Sequence, residues 1–165
     1  MERPRLAKVL LNMISHDQAA IGHTKRFAIV RDRNAKRLNG IIAAFGWPDI
    51  AMVGLAGAEA AWLIAQHSDH NPKFQRRCLA LIKRNIRRET SSRYQYAYLL
   101  DRILVNSGAK HQRFGTQLGQ RSGGYMPNPP TRLRGARLDK LRESFGLPPL
   151  SEYIAAFERL YNRAA

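Results

Sequence analysis

The chain has 165 residues, and its 28 Lys and Arg against 12 Asp and Glu give a formal net charge of +16. An apolar fraction of 44% is enough to form a core and argues against disorder. We therefore predict one domain over residues 1–165. No apolar run is long enough to span a membrane, and the N-terminal apolar segment lacks a cleavage site, so we expect a cytoplasmic protein with no membrane partner.

The positive charge is spread along the chain, and Arg outnumbers Lys. Guanidinium groups suit bidentate contacts with phosphate. A folded domain with this charge attracts polyanions, so we expect nucleic acid, with RNA favoured, or another polyanion as the partner. Adaptation of solubility is the alternative explanation. The sequence leaves the oligomeric state open.

Apolar spacing predicts a first helix over residues 4–21. Asp17 falls near its end, where it either points into a polar site or lies on an exposed turn. A second helix is predicted from residue 26 to residue 45. It has Arg33 and Arg37 on its basic face, and its apolar positions are Ile29, Leu38, Ile41, Ile42 and Phe45. The segment 53–65 is nearly uncharged and rich in Ala and Gly, which predicts the most buried helix.

Asn71 and Pro72 predict the N-cap and first residue of the next helix, which should extend to about residue 88. Cys78 is expected to be a buried structural thiol on its inner face. The outer face has the densest basic cluster in the sequence. With Arg33 and Arg37 it is our predicted nucleic-acid-binding surface, comprising Arg76, Arg77, Lys83, Arg84, Arg87 and Arg88.

A further helix, from residue 94 to residue 105, carries Asp101 and Arg102 among apolar neighbours. The stretch that follows, residues 109–118, is expected to form either a short β-hairpin, near 105–118, or irregular backbone. The segment 119–135, rich in Gly and Pro, is predicted to be a flexible loop or flap. Two short helices should follow, at about 137–145 and 151–162. The predicted fold is all-α, a compact bundle of about five to seven helices.

Polar side chains that an ordinary core would not need concentrate between residues 66 and 117. Imidazoles exchange protons near neutral pH, so His67 is the candidate acid–base residue, with Asp101 as its partner and Arg102 as an anion clamp. Two imidazoles can also cleave RNA, one as base and one as acid, with His70 or His111 as the second. The predicted substrate-binding residues are Gln66, Asp69, His111, Gln112, Thr116, Gln117 and Arg121.

The same polar cluster permits other interpretations. It could bind a ligand without chemistry, or be a buried network that only fixes helix packing. The spacing His67-x-x-His70 with Asp69 offers metal-ligand types, but the Asn71-Pro72 turn interrupts the helix and the His-Glu-x-x-His signature is missing. We therefore expect no metal. We also expect no cofactor, because no dinucleotide or Walker fingerprint occurs.

Several motifs in this order resemble a widespread bacterial family of domains with no established function. They are Gly46-Trp47-Pro48, Gln66-His67 with Asp69 and Gln75, Asp101-Arg102, Gly115-Thr116-Gln117, and Gly146-Leu147-Pro148-Pro149-Leu150 with Tyr153. The resemblance covers about residues 17–153 and implies no activity. Phe114 stands where the family usually has tyrosine. Proteins with these motifs are often less basic. We therefore expect the high positive charge to serve a partner specific to this protein, and the polar motifs to belong to the shared fold or chemistry.

From these features we expect a small basic enzyme that performs acid–base chemistry on an anionic substrate. RNA or an RNA-linked molecule is the first candidate for that substrate. A hydrolase or transferase would fit. The alternatives are a nucleic-acid-binding module without catalysis and a protein-interaction domain such as a toxin-neutralising partner.

Overall fold

The computed structural model describes residues 3–20, 24–87 and 92–162. Their regular structure consists of seven helices and a two-stranded antiparallel hairpin, which confirms the mostly α-helical class. The elements are α1 (Pro4–Ala19), α2 (Thr24–Phe45), α3 (Ile50–Gln66), α4 (Pro72–Ile86), α5 (Arg93–Asn106), β1 (Leu118–Arg121), β2 (Gly124–Pro127), α6 (Gly135–Glu143) and α7 (Leu150–Asn162).

The chain divides into two compact units, Met1–Gln95 and Tyr96–Ala165, called here the first and second units. The single domain expected from the sequence stays a prediction. In the described ranges, no helix combines the length and the apolar character needed to cross a membrane.

The first unit is built around α3, as its composition predicts. The small residues of α3 allow α1 to approach closely, and these two helices make the most extensive helix contact. A Cβ added at Gly57 would lie 3.3 Å from the Cβ of Ala7 and 2.9 Å from that of Val53. A larger side chain at Gly57 would therefore force α1 away from α3.

The start of α3 differs from the prediction because one glycine breaks it. Asp49 caps the helix by accepting a hydrogen bond from the Met52 N–H at 3.0 Å. Gly54 then has φ 72° and ψ 171°, a conformation that L side chains rarely adopt. The segment predicted to begin at residue 53 is thus the longer, regular part of a helix that begins at Ile50.

The predicted apolar face of α2 is partly wrong. Ile29 is 70% exposed and Phe45 is 44% exposed, whereas Val30 is buried. Leu38, Ile41 and Ile42 are buried as predicted. A single periodic pattern assigned Ile29 inward, but the adjacent Val30 satisfies the core at this turn of the helix.

The second unit contains the hairpin, which lies at 118–127 rather than near 105–118. The strands pair with Arg121 opposite Gly124, which leaves Ser122 and Gly123 as a two-residue turn. Gly124 has φ 112°, so the glycines that suggested a loop instead close a tight turn. The ring of Tyr125 packs on Phe157 of α7 with centroids 4.9 Å apart. The stretch predicted to be a flexible flap therefore includes paired strands in contact with a helix.

Candidate functional site

The central pair of the first unit joins the end of α3 to α1. His67 is the C-cap residue of α3, and its Nδ1 is hydrogen-bonded to the Asp17 carboxylate. The Asp17 side chain is 1% exposed, and the His67 side chain is 25% exposed. When Asp17 is ionised its carboxylate can only accept, which places the proton of a neutral imidazole on Nδ1; Nε2 of His67 has no hydrogen-bond partner among the described residues. The contact with Asp17 fixes the orientation of the imidazole ring.

A second group of contacts holds the backbone around His67. The Nε–H of Arg31 on α2 donates to the carbonyl oxygen of His67. The Nη2 of Arg31 lies 3.4 Å from the Asp69 carboxylate. Gln75 donates from Nε2 to the other Asp69 oxygen at 3.1 Å and to the carbonyl of Ala65 at 3.1 Å. The backbone that carries His67 is therefore held from α2 and α4 as well as through Asp17.

Two other residues of the predicted site flank His67. Gln66 is buried, and its Oε1 accepts no hydrogen bond within the described part of the chain. His70 is exposed, and its Nε2 lies 3.9 Å from Asp32 on α2. The aromatic ring of Phe27 lies 6.3 Å from the His67 ring between centroids, and the Arg31 guanidinium lies 4.9 Å from the Phe27 centroid.

In the second unit, Asp101 binds backbone amides. Its side chain is fully buried, and its carboxylate accepts from the N–H groups of Arg113 at 2.8 Å and Thr116 at 2.9 Å. The Phe114 N–H and the Thr116 hydroxyl, each at 3.1 Å, add two further bonds. These donors satisfy the buried charge. The carboxylate thereby fixes the loop after α5, and its neighbour Arg102 is half-buried on the same helix.

Gln112 acts as a clamp between segments of the second unit. Its Nε2 donates to the carbonyls of Gln117 at 2.7 Å and Pro129 at 2.9 Å, and its Oε1 accepts from the Gln117 N–H at 2.9 Å. The Gln117 side chain reaches the Thr116 hydroxyl at 3.1 Å. The predicted substrate-binding residues Gln112, Thr116 and Gln117 are thus brought together, and their described bonds are with the protein itself.

Two residues near this loop escaped prediction as part of the polar network. Arg142 is fully buried and donates to the carbonyls of Phe114 at 2.5 Å and Pro148 at 2.8 Å. Burial lowers its pKa from the ordinary value. The Tyr153 hydroxyl donates to the Thr116 carbonyl at 2.9 Å, and burial raises its pKa. Tyr153 appeared only as part of a family motif, and nothing in the local sequence marks Arg142 as buried.

The predicted nucleic-acid-binding residues are exposed wherever the structure describes them. On α4 and its C-cap these are Arg76, Arg77, Lys83, Arg84 and Arg87, and on α2 they are Arg33 and Arg37. Arg88 lies outside the described residues. Arg121 of β1 is exposed and donates to the Asn128 side chain at 3.1 Å.

The faces of α2 and α4 meet at a small cleft of about 270 Å³. Lys36, Lys73 and Arg77 line it, and Arg77 donates to Asn39 of α2 at 2.5 Å. The two basic faces therefore adjoin.

On the inner side of α4, Cys78 is buried as predicted, and burial raises the pKa of its thiol to about 12. That thiol is protonated at neutral pH and is not an activated nucleophile.

Among the residues that the structure describes, no group of three or more His, Cys, Asp or Glu side chains is arranged to hold a metal ion.

The sequence of the chain matches one protein family over almost its whole length. A model of a family of unknown function, DUF6624, matches residues 5–164. The chain belongs to this family. Neither a curated protein nor a solved structure matches the DUF6624 chain.

The geometry revises one role expected from the sequence. The carboxylate at Nδ1 of His67 is that of Asp17, whereas Asp101 binds the backbone of its own unit. The sequence signal for Asp17 was its position near the end of the first helix, which did not reveal a partner 50 residues away. Arg31 was not among the predicted site residues, and it braces the carbonyl of His67.

Proposed function

We propose that this protein is a small basic enzyme in which His67 transfers protons on an anionic phosphoester substrate, with RNA the first candidate. The observation that carries the proposal is the buried Asp17 carboxylate on Nδ1 of His67. A carboxylate in this position fixes the tautomer and stabilises the imidazolium that forms when Nε2 accepts a proton. His67 is the acid–base residue, and Asp17 positions it.

The surroundings of His67 support a catalytic role because they restrict its motion. Arg31 and Gln75 fix the backbone on both sides of the histidine, and the side chain itself is partly accessible. A catalytic imidazole needs both a fixed orientation and an open edge.

In RNA cleavage, His67 would act as the base and a second histidine as the acid. The Nε2 of His67 takes the proton from a ribose 2′-hydroxyl, whose oxygen attacks the adjacent phosphorus. The bond from phosphorus to the 5′-oxygen breaks, and that oxygen receives a proton from a second, protonated imidazole. His70, three residues further and exposed, is the candidate for this acid. The products are a 2′,3′-cyclic phosphate and a free 5′-hydroxyl.

The charge of the first unit supports an anionic substrate. Exposed cations on α2 and α4 adjoin at the cleft lined by Lys36, Lys73 and Arg77. Such a surface raises the local concentration of polyanions and accelerates their association. The same exposed cations favour the second candidate function, nucleic-acid binding without catalysis, which needs no role for His67.

A turnover assay separates the two candidate functions. A short, end-labelled, mixed-sequence RNA is incubated at low salt with the wild-type protein, His67→Gln and the matched control His16→Gln, an exposed histidine of α1. We expect cleavage by the wild type and by the control, and a loss of about 100-fold or more in His67→Gln, with RNA binding retained.

Binding without cleavage by the wild-type protein would contradict the catalytic proposal and leave the binding module. Equal cleavage by wild type and His67→Gln would contradict the role of His67. Circular dichroism of each variant identifies a loss that comes from unfolding, and in that case Asp17→Asn repeats the test with a side chain of the same shape.

A further inference from the structure

A cavity of about 650 Å³ lies within the second unit and is independent of the chemistry proposed for His67. Its walls come from the end of α5, residues 109–113, residues 132–133 and α6. This volume falls in the range of small-molecule sites. The charge and polarity of the walls specify what kind of molecule would fit.

Basic side chains line the cavity. They are those of Lys110, Arg113 and Arg132, together with the imidazole of His111, and no carboxylate of the described residues lines it. Over the described ranges of the chain, none of these four side chains is within ion-pair distance of an acidic group. Uncompensated positive charge around a concave surface favours an anionic ligand.

The remaining wall is apolar. Leu104, Leu133 and Leu141 line it, and Leu133 is 39% exposed although it is a large apolar side chain. An inorganic anion alone would leave these side chains in contact with water. A ligand with an apolar body would bury them, and each square ångström of apolar surface so removed from water adds about 25 cal/mol.

Contacts within the protein hold the segments that carry these basic side chains in place. Gln112 is bridged to Thr131, and its N–H donates to the Pro130 carbonyl at 3.0 Å. Its side-chain amide binds Pro129, and the Asp101 carboxylate holds the N–H of Arg113. The backbone of Arg113 is thus fixed relative to the segment leading to Arg132, so little ordering is required on binding.

We propose that this cavity binds an organic phosphate, a phosphate monoester with an apolar body. The forked guanidinium groups of Arg113 and Arg132 match phosphate oxygens, and the leucines accept the attached body. A mononucleotide and an alkyl phosphate share this chemistry. They are the two sources that the experiment distinguishes.

Calorimetry on the full chain measures the binding of adenosine 5′-monophosphate and of n-octyl phosphate, each compared with inorganic phosphate, adenosine and octanol. We expect at least one of the two phosphate monoesters to bind with a dissociation constant about 10-fold or more below that of its separate parts. The tighter monoester identifies the source. Failure of both to bind at millimolar concentration, or equal binding of inorganic phosphate, would overturn the proposal.

Two variants locate the site. Arg132→Gln removes one cation, and Leu133→Ser removes part of the apolar wall. Each should weaken binding of the tighter monoester, by about 10-fold for the arginine. Arg134→Gln, an exposed arginine outside the cavity wall, is the control and should leave binding unchanged. Equal weakening in the control, or none in either cavity variant, would show that the cavity is not the binding site.

Discussion

The Nδ1 of His67 is hydrogen-bonded to the carboxylate of Asp17, which α1 holds almost entirely out of contact with solvent. The pair connects the C-terminal end of α3 to α1 and leaves the other ring nitrogen of the histidine without a protein partner in the described residues.

The first prediction concerns Asp17→Asn in the RNA turnover assay. The amide keeps the shape of the carboxylate but cannot stabilise an imidazolium, so cleavage should fall by about 100-fold to 10,000-fold. RNA affinity should not change, because Asp17 is buried. Comparable cleavage by Asp17→Asn and wild type would show that the carboxylate does not assist His67.

The second prediction concerns the Asp101 carboxylate. Asp101→Asn places a donor among backbone N–H groups, so the free energy of unfolding should fall by about 3 kcal/mol or more in urea denaturation. The matched control is Asp139→Asn, because Asp139 accepts one described backbone hydrogen bond, from the Leu150 N–H at 2.9 Å. It should cost about 1 kcal/mol. Equal losses in the two variants would refute the anchoring role of Asp101.

How much of the fold and of the candidate site could be predicted from the sequence depends on how far apart in the chain the interacting residues lie. Helical periodicity predicted the helices to within a few residues, and Asn71 caps α4 as expected, accepting from the Phe74 N–H at 3.1 Å. The position of the hairpin was not predicted, because Gly123 and Gly124 indicate a loop and a tight turn equally well. Periodicity also placed Ile29 on the buried face of α2 wrongly, because the adjacent Val30 is the residue that faces the core at this turn.

The polar residues were easier to find than to connect. Asp101 stood out because it lies in an apolar helix, and His67 because it lies in a polar stretch that an ordinary core would not need. The sequence does not say which carboxylate meets which donor. Asp101 was predicted to be the partner of His67, whereas backbone amides of residues 113–116 satisfy its carboxylate. Such pairings are set by how the helices pack, and the residues that make them lie far apart in the chain.

The third prediction concerns Glu59 on α3 and the pH dependence of stability. Glu59 accepts hydrogen bonds from the Tyr94 hydroxyl and from Gln95 at 2.9 Å. Burial nevertheless raises its pKa above the ordinary 4.5, and the Gln95 bond opposes this shift. The folded state therefore holds the Glu59 proton more tightly than the unfolded state. This contribution to stability is present below pH 4.5 and is lost as pH rises through the folded pKa.

Glu59→Gln keeps the acceptor oxygen and removes the ionisation. The melting temperature of the variant, relative to wild type, should therefore rise as pH increases from 4.5 towards neutrality. Glu143→Gln, an exposed glutamate of α6, is the control for the loss of a negative charge. A difference between Glu59→Gln and wild type that is constant with pH would contradict the assignment.

The fourth prediction concerns the basic surface of α2 and α4. RNA affinity of the wild-type protein should fall steeply with salt, because bound phosphates release counterions. The double variant Arg77→Gln and Arg84→Gln should reduce the slope of log affinity against log salt by about 1 to 2. The control is Lys140→Gln, an exposed cation of α6. A flat salt dependence in the wild type would argue against RNA as a ligand.

The pairing of Asp17 with His67 is the claim on which the proposed chemistry depends, and nitrogen-15 NMR of the His67 ring tests it directly. At alkaline pH, where the imidazole is neutral, we expect the proton on Nδ1 and a bare Nε2 in the wild-type protein. The Asp17→Asn variant should lose this preference, because its amide can donate as well as accept. A wild-type ring with the proton on Nε2, or the same tautomer in both proteins, would contradict the pairing.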